Sequence, residues 1–249
     1  MLYLIGIGLA DEQDIAIKGL GIVRRCQEVY MEDYTSIMQV PKKQLEEFYG
    51  SKIISAPRDF VENQSDLILK KAKIMDIALL VVGDPLMATT HTSLLLDAKK
   101  QGVPFKVVHN ASVLNAVAQT GLQIYKFGKI ASIPFHESDG PYQVLEENHK
   151  AGSHTLFLLD LDPKNNKMMT AAQAAQILLS LENKHKHQIL SPLSTAIACA
   201  RLGANDQLIR SGPLVQISQS DFGQAPHCLI IPGNLHFLEE EWLKELSKN

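Results

Sequence analysis

The sequence predicts an α/β protein of two domains, the first built on a mostly parallel sheet and the second on a mixed sheet. In the first half of the chain, short apolar runs alternate with helical patterns, which is typical of parallel sheets covered by helices. In the second half, strand patterns follow one another without intervening helices. The change occurs near Leu122, so we expect domains at residues 1–122 and 123–249.

The elements of the first domain follow from hydrophobic periodicity and from the signals that end helices. The expected strands are residues 2–9, 28–34, 77–82 and 105–108. The expected helices are residues 14–25, 41–49, 59–73, 91–101 and 112–119. Gly102 follows the fourth of these helices, where a left-handed residue commonly ends a helix, and Ser112 caps the fifth.

The second domain is predicted in the same way. The expected strands are residues 128–135, 154–162, 194–203, 207–218 and 226–232, and a helix is expected over 140–152. Thr170 and Gln173 form a capping box for a further helix, which carries Ala174, Leu178 and Leu181 on one face. The last helix is expected to turn four residues inward, namely Leu235, Leu238, Trp242 and Leu246, and to leave Glu239, Glu240 and Glu241 largely outside.

Composition excludes several classes of protein. A hydrophobic fraction of 45% supports a sizeable core, and a net charge of −3 without a basic cluster argues against direct nucleic-acid binding. Three scattered cysteines, and the two histidines of "KHKHQ" without further ligands, favour neither disulfides nor a metal site. No apolar run approaches the ~20 residues of a membrane span, and "MLYLIGIGLADEQD" reads as a first strand, so we expect a cytoplasmic protein.

The turn after the first strand, "GIGLAD", brings the backbone close to a neighbour or a ligand, because it contains Gly6 and Gly8. A dinucleotide fingerprint would need a third glycine where the chain has Asp11. Glu32 and Asp33 follow at about the distance of a ribose-binding acid. A nicotinamide-dependent enzyme is therefore an alternative to a simple strand-to-helix turn.

Two further strand ends carry polar residues, in "VVGDPLMATTH" and in "HNASV". Asp84 lies between Gly83 and Pro85, where it could bind a ligand or cap the following helix. Ligands of open α/β sheets bind at the carboxyl ends of strands. The three strand ends together therefore predict one polar, partly apolar binding site.

Four stretches, "LYLIGIGLADEQDIAIKGL", "VVGDPLMATTHTSLLLDAKKQGV", "VVHNASVLNAVAQTGLQIYKFGKIASI" and "HTLFLLDLD", resemble the diphthine synthase family of methyltransferases. The resemblance extends from Met1 to "PHCLIIPGNLHFLEEEWL". The diphthine synthase family belongs to the wider tetrapyrrole-methylase superfamily. It implies two α/β domains with S-adenosylmethionine (AdoMet) in the cleft between them. The chain has Leu9-Ala10 where the superfamily usually carries Pro-Gly, which favours the diphthine branch over a porphyrin or precorrin methylase.

The resemblance also implies a set of residues that contact the cofactor. The methyl donor is already activated by its positive sulfur, so we name no catalytic residue, and we name no metal ligand. The implied cofactor contacts are Leu9, Asp84, Met87, Ser112, Val113, Leu159, Leu202 and His227. Leu159 and Leu202 would otherwise be interpreted as core leucines, and His227 as a structural histidine. His227 is expected to contact the cofactor and not to act as a base.

The family methylates a 3-amino-3-carboxypropyl-histidine on translation elongation factor 2, and its members form homodimers. We therefore expect that protein as the substrate, a homodimer, and three methyl groups, because "DLDPKNNKMMT" lacks the longer insertion associated with eukaryotic members. Lys126 and Lys129 are considered as contacts to the substrate carboxylate. The alternatives are a tetrapyrrole methylase of the same fold and a non-catalytic protein that binds AdoMet or a nucleotide.

Overall fold

The computed structural model describes residues 1–34, 36–162 and 165–247. The chain divides into two compact units, Met1–Leu114 and Asn115–Asn249. The domain boundary expected near Leu122 lies a short distance inside the second unit. Among the described residues, no helix combines the length and the apolar character that a membrane crossing requires.

A five-stranded parallel sheet forms the centre of the first unit. Its strands are β1 (Leu2–Gly6), β2 (Glu28–Glu32), β3 (Ile53–Ala56), β4 (Ile77–Val81) and β5 (Phe105–Val108). They are arranged in the order β3-β2-β4-β1-β5, which confirms the predicted parallel sheet. All residues of the adjacent strands β1 and β4 are buried, as their unbroken apolar runs indicate.

The two faces of this sheet carry separate hydrophobic clusters because successive side chains of a strand point to opposite faces. Leu2 and Leu4 of β1 belong to one cluster, together with Leu79 of β4. Tyr3 and Ile5 of the same strand belong to the other. Each cluster also contains buried residues from helices, so both faces of the sheet are covered.

The helices of the first unit are shorter than predicted. They are α1 (Ile17–Val23), α2 (Lys42–Tyr49), α3 (Arg58–Glu62), α4 (Ser65–Ala72), α5 (Thr92–Lys100) and, at its end, α6 (Val113–Ala116). The helix expected over 14–25 is instead a 3₁₀ turn, Glu12–Asp14, followed by α1. The helix expected over 112–119 continues from α6 as the 3₁₀ turn Val117–Thr120.

Two predictions for this unit are wrong for local reasons. The single helix expected over 59–73 is broken between α3 and α4, because the backbone N–H groups of Asn63 and Gln64 both bond to the carbonyl oxygen of Asp59. The side chains of Asn63 and Gln64 also donate to the Asp59 carboxylate. The sequence pattern also missed β3, a four-residue strand at the edge of the sheet with two exposed central residues.

A mixed sheet forms the centre of the second unit, as predicted. The strands of this unit are β6 (Ala131–Ile133), β7 (Thr155–Leu159), β8 (Leu161–Asp162), β9 (Lys167–Met168), β10 (Thr195–Ala200), β11 (Leu208–Pro213) and β12 (His227–Ile231). The main sheet has the order β11-β10-β12-β7-β6, with β6 and β7 parallel and the other pairs antiparallel. β8 and β9 pair separately.

The helices of the second unit are α7 (Gly140–Ala151), α8 (Ala171–His185), α9 (Leu214–Ile217) and α10 (Phe237–Leu246). The capping box of Thr170 and Gln173 on α8 is confirmed. The expectation that the last three strands follow one another without helices is wrong, because the strand expected over 207–218 turns into α9 after Pro213. The strand expected over 154–162 is divided into β7 and β8.

The orientation predicted for the last helix is wrong. Leu238 and Trp242 of α10 are 54% and 52% exposed, whereas Glu239 is 1% exposed. The Glu239 carboxylate accepts hydrogen bonds from the N–H groups of Gln123 and His236 and from the Lys126 ammonium, and it contacts the His154 ring. Burial raises the pKa of Glu239, but these donors outweigh burial and lower the pKa to about 2.

Candidate functional site

The chain turns sharply after β1, where two glycines allow it to pass close to the loop that follows β4. Gly8 has φ 82° and forms two backbone hydrogen bonds with Gly83, with N···O distances of 2.7 and 3.4 Å. A Cβ atom on Gly6 would lie 2.5 Å from the carbonyl oxygen of Gly83. The glycines of "GIGLAD" are therefore required by the approach of a neighbouring loop.

Acidic residues shape the rest of this turn. The Asp14 carboxylate accepts hydrogen bonds from the backbone N–H groups of Leu9 and Ala10, at 3.0 and 2.7 Å. Asp11 caps the 3₁₀ turn with its side chain. Because α1 begins only at Ile17, the turn does not lead directly into a helix N-terminus that could bind a pyrophosphate. This arrangement argues against the nicotinamide alternative.

Asp84 connects two loops and does not cap a helix. Its Oδ1 accepts a hydrogen bond from the Leu86 N–H at 2.9 Å, and its Oδ2 accepts from the Asn110 N–H at 3.1 Å and from Nδ1 of His109 at 2.8 Å. The capping interpretation is wrong because the next helix begins only at Thr92. Asp84 is 3% exposed, and a carboxylate accepts about four hydrogen bonds, so one further donor can be accommodated.

Gly83 marks the point where three strand-end loops meet. A Cβ atom on Gly83 would lie 3.7 Å from the carbonyl oxygen of Ala111, 3.8 Å from Cα of Ser112 and 3.9 Å from Cδ2 of Leu9. The structure therefore brings Leu9 and Ser112 together beside Asp84, as predicted from the three strand ends. Met87 lies two residues beyond Pro85 and is 47% exposed.

Ser112 is 6% exposed, and its hydroxyl accepts a hydrogen bond from the Leu114 N–H at 3.3 Å. Ser112 thus caps α6, as the sequence indicates. Val113, the first residue of that helix, is half-buried. Both residues lie directly after the loop that contacts Gly83, so they border the same group of strand ends.

The sequence reasoning missed two histidines that hold the loop after β4. His91 is 1% exposed, and its Nδ1 bonds to the carbonyl oxygen of Pro85 at 3.1 Å, while its Nε2 lies 3.8 Å from a Glu32 carboxylate oxygen. Burial lowers the pKa of His91, although the hydrogen bond to Pro85 opposes this shift. His109 binds Asp84 but keeps a side chain that is 65% exposed. The sequence signal that could have identified His109 is its position at the end of a strand, in "VVHN".

The implied residues of the second unit lie at one end of its sheet. His227 begins β12 opposite Ala200, the last residue of β10, and Leu202 follows shortly after. Leu159 ends β7, next to Leu158, which is paired with Cys228. Leu159 is 9% exposed and Leu202 is 7% exposed, so both are largely core residues in this structure.

Both ring nitrogens of His227 are used within the fold. Nδ1 accepts a hydrogen bond from the Ala171 N–H at 3.2 Å, so the ring proton is on Nε2, which donates to the carbonyl oxygen of Gln224 at 2.9 Å. Burial lowers the pKa of His227. The neutral ring is therefore unsuited to act as a base, and its contact with the cofactor stays a prediction.

The two lysines considered for substrate docking are paired within the second unit. Lys126 bonds to Glu239 and to the carbonyl oxygen of Asn234, both at 2.6 Å. Lys129 forms an ion pair with Glu147 on α7. The Lys126 side chain is largely withdrawn from solvent, with 24% exposed, so the structure does not support it as a docking residue.

The chain is similar over its whole length to known methyltransferases. Residues 1–218 match the model of the tetrapyrrole (corrin/porphyrin) methylases. A diphthine methyl ester synthase of Schizosaccharomyces pombe is 41% identical over 100% of this chain and 95% of the relative. A diphthine synthase of Methanothermobacter thermautotrophicus is 40% identical over 99% and 96% of the two chains. A crystal structure of diphthine synthase superposes with a TM-score of 0.92 at 35% identity, covering 99% and 96% of the two chains.

Proposed function

Because the chain belongs to the tetrapyrrole (corrin/porphyrin) methylases, in the diphthine synthase branch, it is a methyltransferase of diphthamide biosynthesis, and we propose elongation factor 2 as its substrate. The methyl donor is AdoMet, and the acceptor is the amino group of a 3-amino-3-carboxypropyl-histidine. The full-length similarity to diphthine synthases is the observation that carries this proposal. A tetrapyrrole substrate and a non-catalytic binding role are not favoured by it.

The proposed cofactor contacts of the first unit are Leu9, Asp84, Met87, Ser112 and Val113. Their surroundings suit such a ligand. The Asp84 carboxylate can accept one more hydrogen bond, and Gly83, where the three loops meet, has no side chain that would fill the space. The exposed Met87 offers an apolar surface. In the second unit we propose Leu159, Leu202 and His227. The position of the cofactor relative to the two units stays a prediction.

When bound, AdoMet supplies a methyl group activated by the positive charge on sulfur. The residues of the chain need to hold the acceptor amine in line with that methyl group. Orientation of this kind contributes about 7–11 kcal/mol to lowering a reaction barrier. In this proposal, Asp84 and the loop around Gly83 orient the donor, and His227 contacts it from the second unit.

We propose three methyl transfers to the amine. The short connection of residues 160–170 supports this number, although Pro163 and Lys164 lie outside the described residues. The S. pombe relative is named for a methyl ester, so a fourth transfer to the carboxylate is the competing outcome. The test is the mass of modified elongation factor 2 after incubation with the protein and AdoMet. Three added methyl groups support the proposal, and four contradict it.

Binding can be tested separately from turnover. AdoMet is expected to raise the melting temperature of the protein, because a ligand that binds only the folded state stabilises it. NAD serves as the control ligand. A shift with NAD and none with AdoMet would contradict the assignment of the donor.

We further propose a cytoplasmic homodimer that binds neither nucleic acid nor membranes directly. The family resemblance supports the dimer, and a stable interface of this kind buries more than ~1,200 Å² in total. Light scattering at micromolar concentration measures the mass. A value of 27.6 kDa, that of one chain, would contradict the dimer.

A further inference from the structure

We propose that His109 is the base that removes protons from the substrate amine, and that Asp84 is the positioning residue that orients its ring. This inference rests on the proposed function, because it needs an amine as the methyl acceptor. The two side chains lie in the strand-end loops of the first unit, where Nδ1 of His109 is 2.8 Å from Oδ2 of Asp84.

The hydrogen bonds of Asp84 determine which nitrogen of His109 carries the proton. The carboxylate is 3% exposed and receives the N–H groups of Leu86 and Asn110, so it acts as an acceptor towards these groups and towards His109. Nδ1 of His109 is therefore the donor, and the lone pair of the neutral ring is on Nε2. A carboxylate that fixes the tautomer of a histidine in this way is a recurrent arrangement in general-base catalysis.

The Nε2 atom is available to a substrate. The His109 side chain is 65% exposed, and within the described parts of the chain no hydrogen bond to Nε2 is formed. His109 also lies three residues before Ser112, a proposed cofactor contact, and its neighbours Ala111 and Ser112 border Gly83. The ring is thus anchored on one side and open on the other, close to the proposed donor site.

The chemistry requires such an acceptor of protons. A primary amine enters as an ammonium ion, which has no lone pair until it loses a proton. Nε2 of His109 takes that proton, and the freed nitrogen lone pair forms the N–C bond while the electron pair of the broken C–S bond stays on sulfur. The product again carries a proton, which must leave before the next transfer. Three transfers release three protons, and the exposed ring passes each to water.

The charged residues on the elements next to the His109 ring include Asp84, Asp14 and Lys106. Asp84 contacts the ring directly, from the turn after β4. Asp14, beyond β1, is occupied by the N–H groups of Leu9 and Ala10, and Lys106 lies on β5 itself.

The principal test compares His109→Asn with wild-type protein between pH 6.5 and 9.5. The asparagine amide can still donate to Asp84 but cannot accept a proton. We expect kcat to fall about 10- to 100-fold near pH 7 and less than about 3-fold near pH 9.5, where the amine loses its proton unaided. His149→Asn, at an exposed position of α7, is the matched control and is expected to behave as wild type.

Two further readouts separate a base from a structural residue. Imidazole in solution is expected to restore activity to His109→Ala, since the site is open to solvent. Nitrogen NMR of the neutral wild-type ring is expected to show the proton on Nδ1, and Asp84→Asn is expected to shift it towards Nε2. The NMR measurement needs neither substrate nor turnover.

The outcomes are distinguishable. If wild-type protein methylates the amine but His109→Asn matches it at every pH, or if the neutral ring carries its proton on Nε2, the base proposal is overturned and the proposed function stands. If AdoMet affinity falls as much as kcat at every pH, His109 is a cofactor contact and the proposal is again overturned. If wild-type protein does not methylate the amine, both proposals fall.

Discussion

Each unit contains a buried carboxylate bound to a histidine, and the two pairs differ in what remains available. In the second unit, His154 is 0% exposed, its Nε2 contacts Glu239 at 3.1 Å, and its Nδ1 accepts from the Gly233 N–H. In the first unit, within the described residues, His109 uses only Nδ1, and its side chain is 65% exposed. The same two kinds of group therefore form a closed structural cluster in one unit and a half-open pair in the other.

In our proposal, the nitrogen that stays open to solvent, and not the pairing with a carboxylate, distinguishes the proposed base His109 from the structural His154. Burial lowers the pKa of His154, and its ring has no position left for a ligand. Glu239 is likewise surrounded by donors. Substitutions in the closed cluster should therefore change stability alone, whereas substitutions in the half-open pair should also change binding and rate.

The largest effect is expected for Glu239→Ala. Removing this carboxylate leaves two backbone N–H groups without their partner and takes from the Lys126 ammonium its ion-pair partner, so that its bond to the Asn234 carbonyl oxygen remains. Breaking a buried pair in this way costs about 3–5 kcal/mol. The free energy of unfolding in urea measures the effect. Glu240→Ala, at the exposed neighbouring position, is the control and should change stability by less than about 0.5 kcal/mol.

The contribution of Glu239 should also depend on pH. Its pKa is about 2 in the folded protein and near 4.5 when unperturbed, so the folded state holds this proton less tightly. The stabilisation is then fully present above about pH 4.5 and is lost as the pH falls towards 2. The difference in stability between wild type and Glu239→Gln should shrink over this range. A constant difference would show that the surrounding donors do not stabilise the charged form of Glu239.

An intermediate effect is expected for Asp84→Asn. We expect AdoMet affinity to fall by about 1.5–3 kcal/mol, the usual value of a hydrogen bond to a charged group. The melting temperature of the ligand-free protein should fall too, because Leu86, His109 and Asn110 all donate to this carboxylate. Calorimetric titration gives the affinity. An unchanged affinity would contradict the proposed contact between Asp84 and the cofactor.

The smallest effect is expected for Lys129→Ala. The partner, Glu147, and the lysine itself are both mostly exposed, and exposed ion pairs contribute about 0–1 kcal/mol. We expect stability and the KM for elongation factor 2 to remain close to wild type. A clear rise in KM with unchanged AdoMet affinity would restore the docking role considered from the sequence.

The sequence predicted those elements whose environment is uniform. β1 and β4 are buried on both faces, so their apolar runs were unambiguous. β3 was missed because it is a short edge strand with exposed centre residues. The face of α10 was mispredicted because Glu239, an acid, is the buried residue, and its burial depends on partners that lie far away in the chain.

The candidate site was predictable in part for the same reason. Strand ends with glycine and polar residues pointed to Asp84 and Ser112, and the structure brings both to Gly83. The pairing of Asp84 with His109 joins residues 25 positions apart, which no local pattern reveals. The occupied nitrogens of His227 likewise depend on Ala171 and Gln224, which only the folded structure brings together.

The cluster around Glu239 has a consequence for the kinetics of folding. Its hydrogen bonds join residues 116, 113 and 85 positions apart, against 25 for Asp84 and His109. Closing a loop of 85 to 116 residues costs about 1 kcal/mol more in chain entropy than closing one of 25 residues. We therefore expect the cluster to form after the rate-limiting barrier, so that Glu239 substitutions accelerate unfolding and leave the folding rate nearly unchanged. The buried Glu239 would then slow the unfolding of the second unit without making its folding faster.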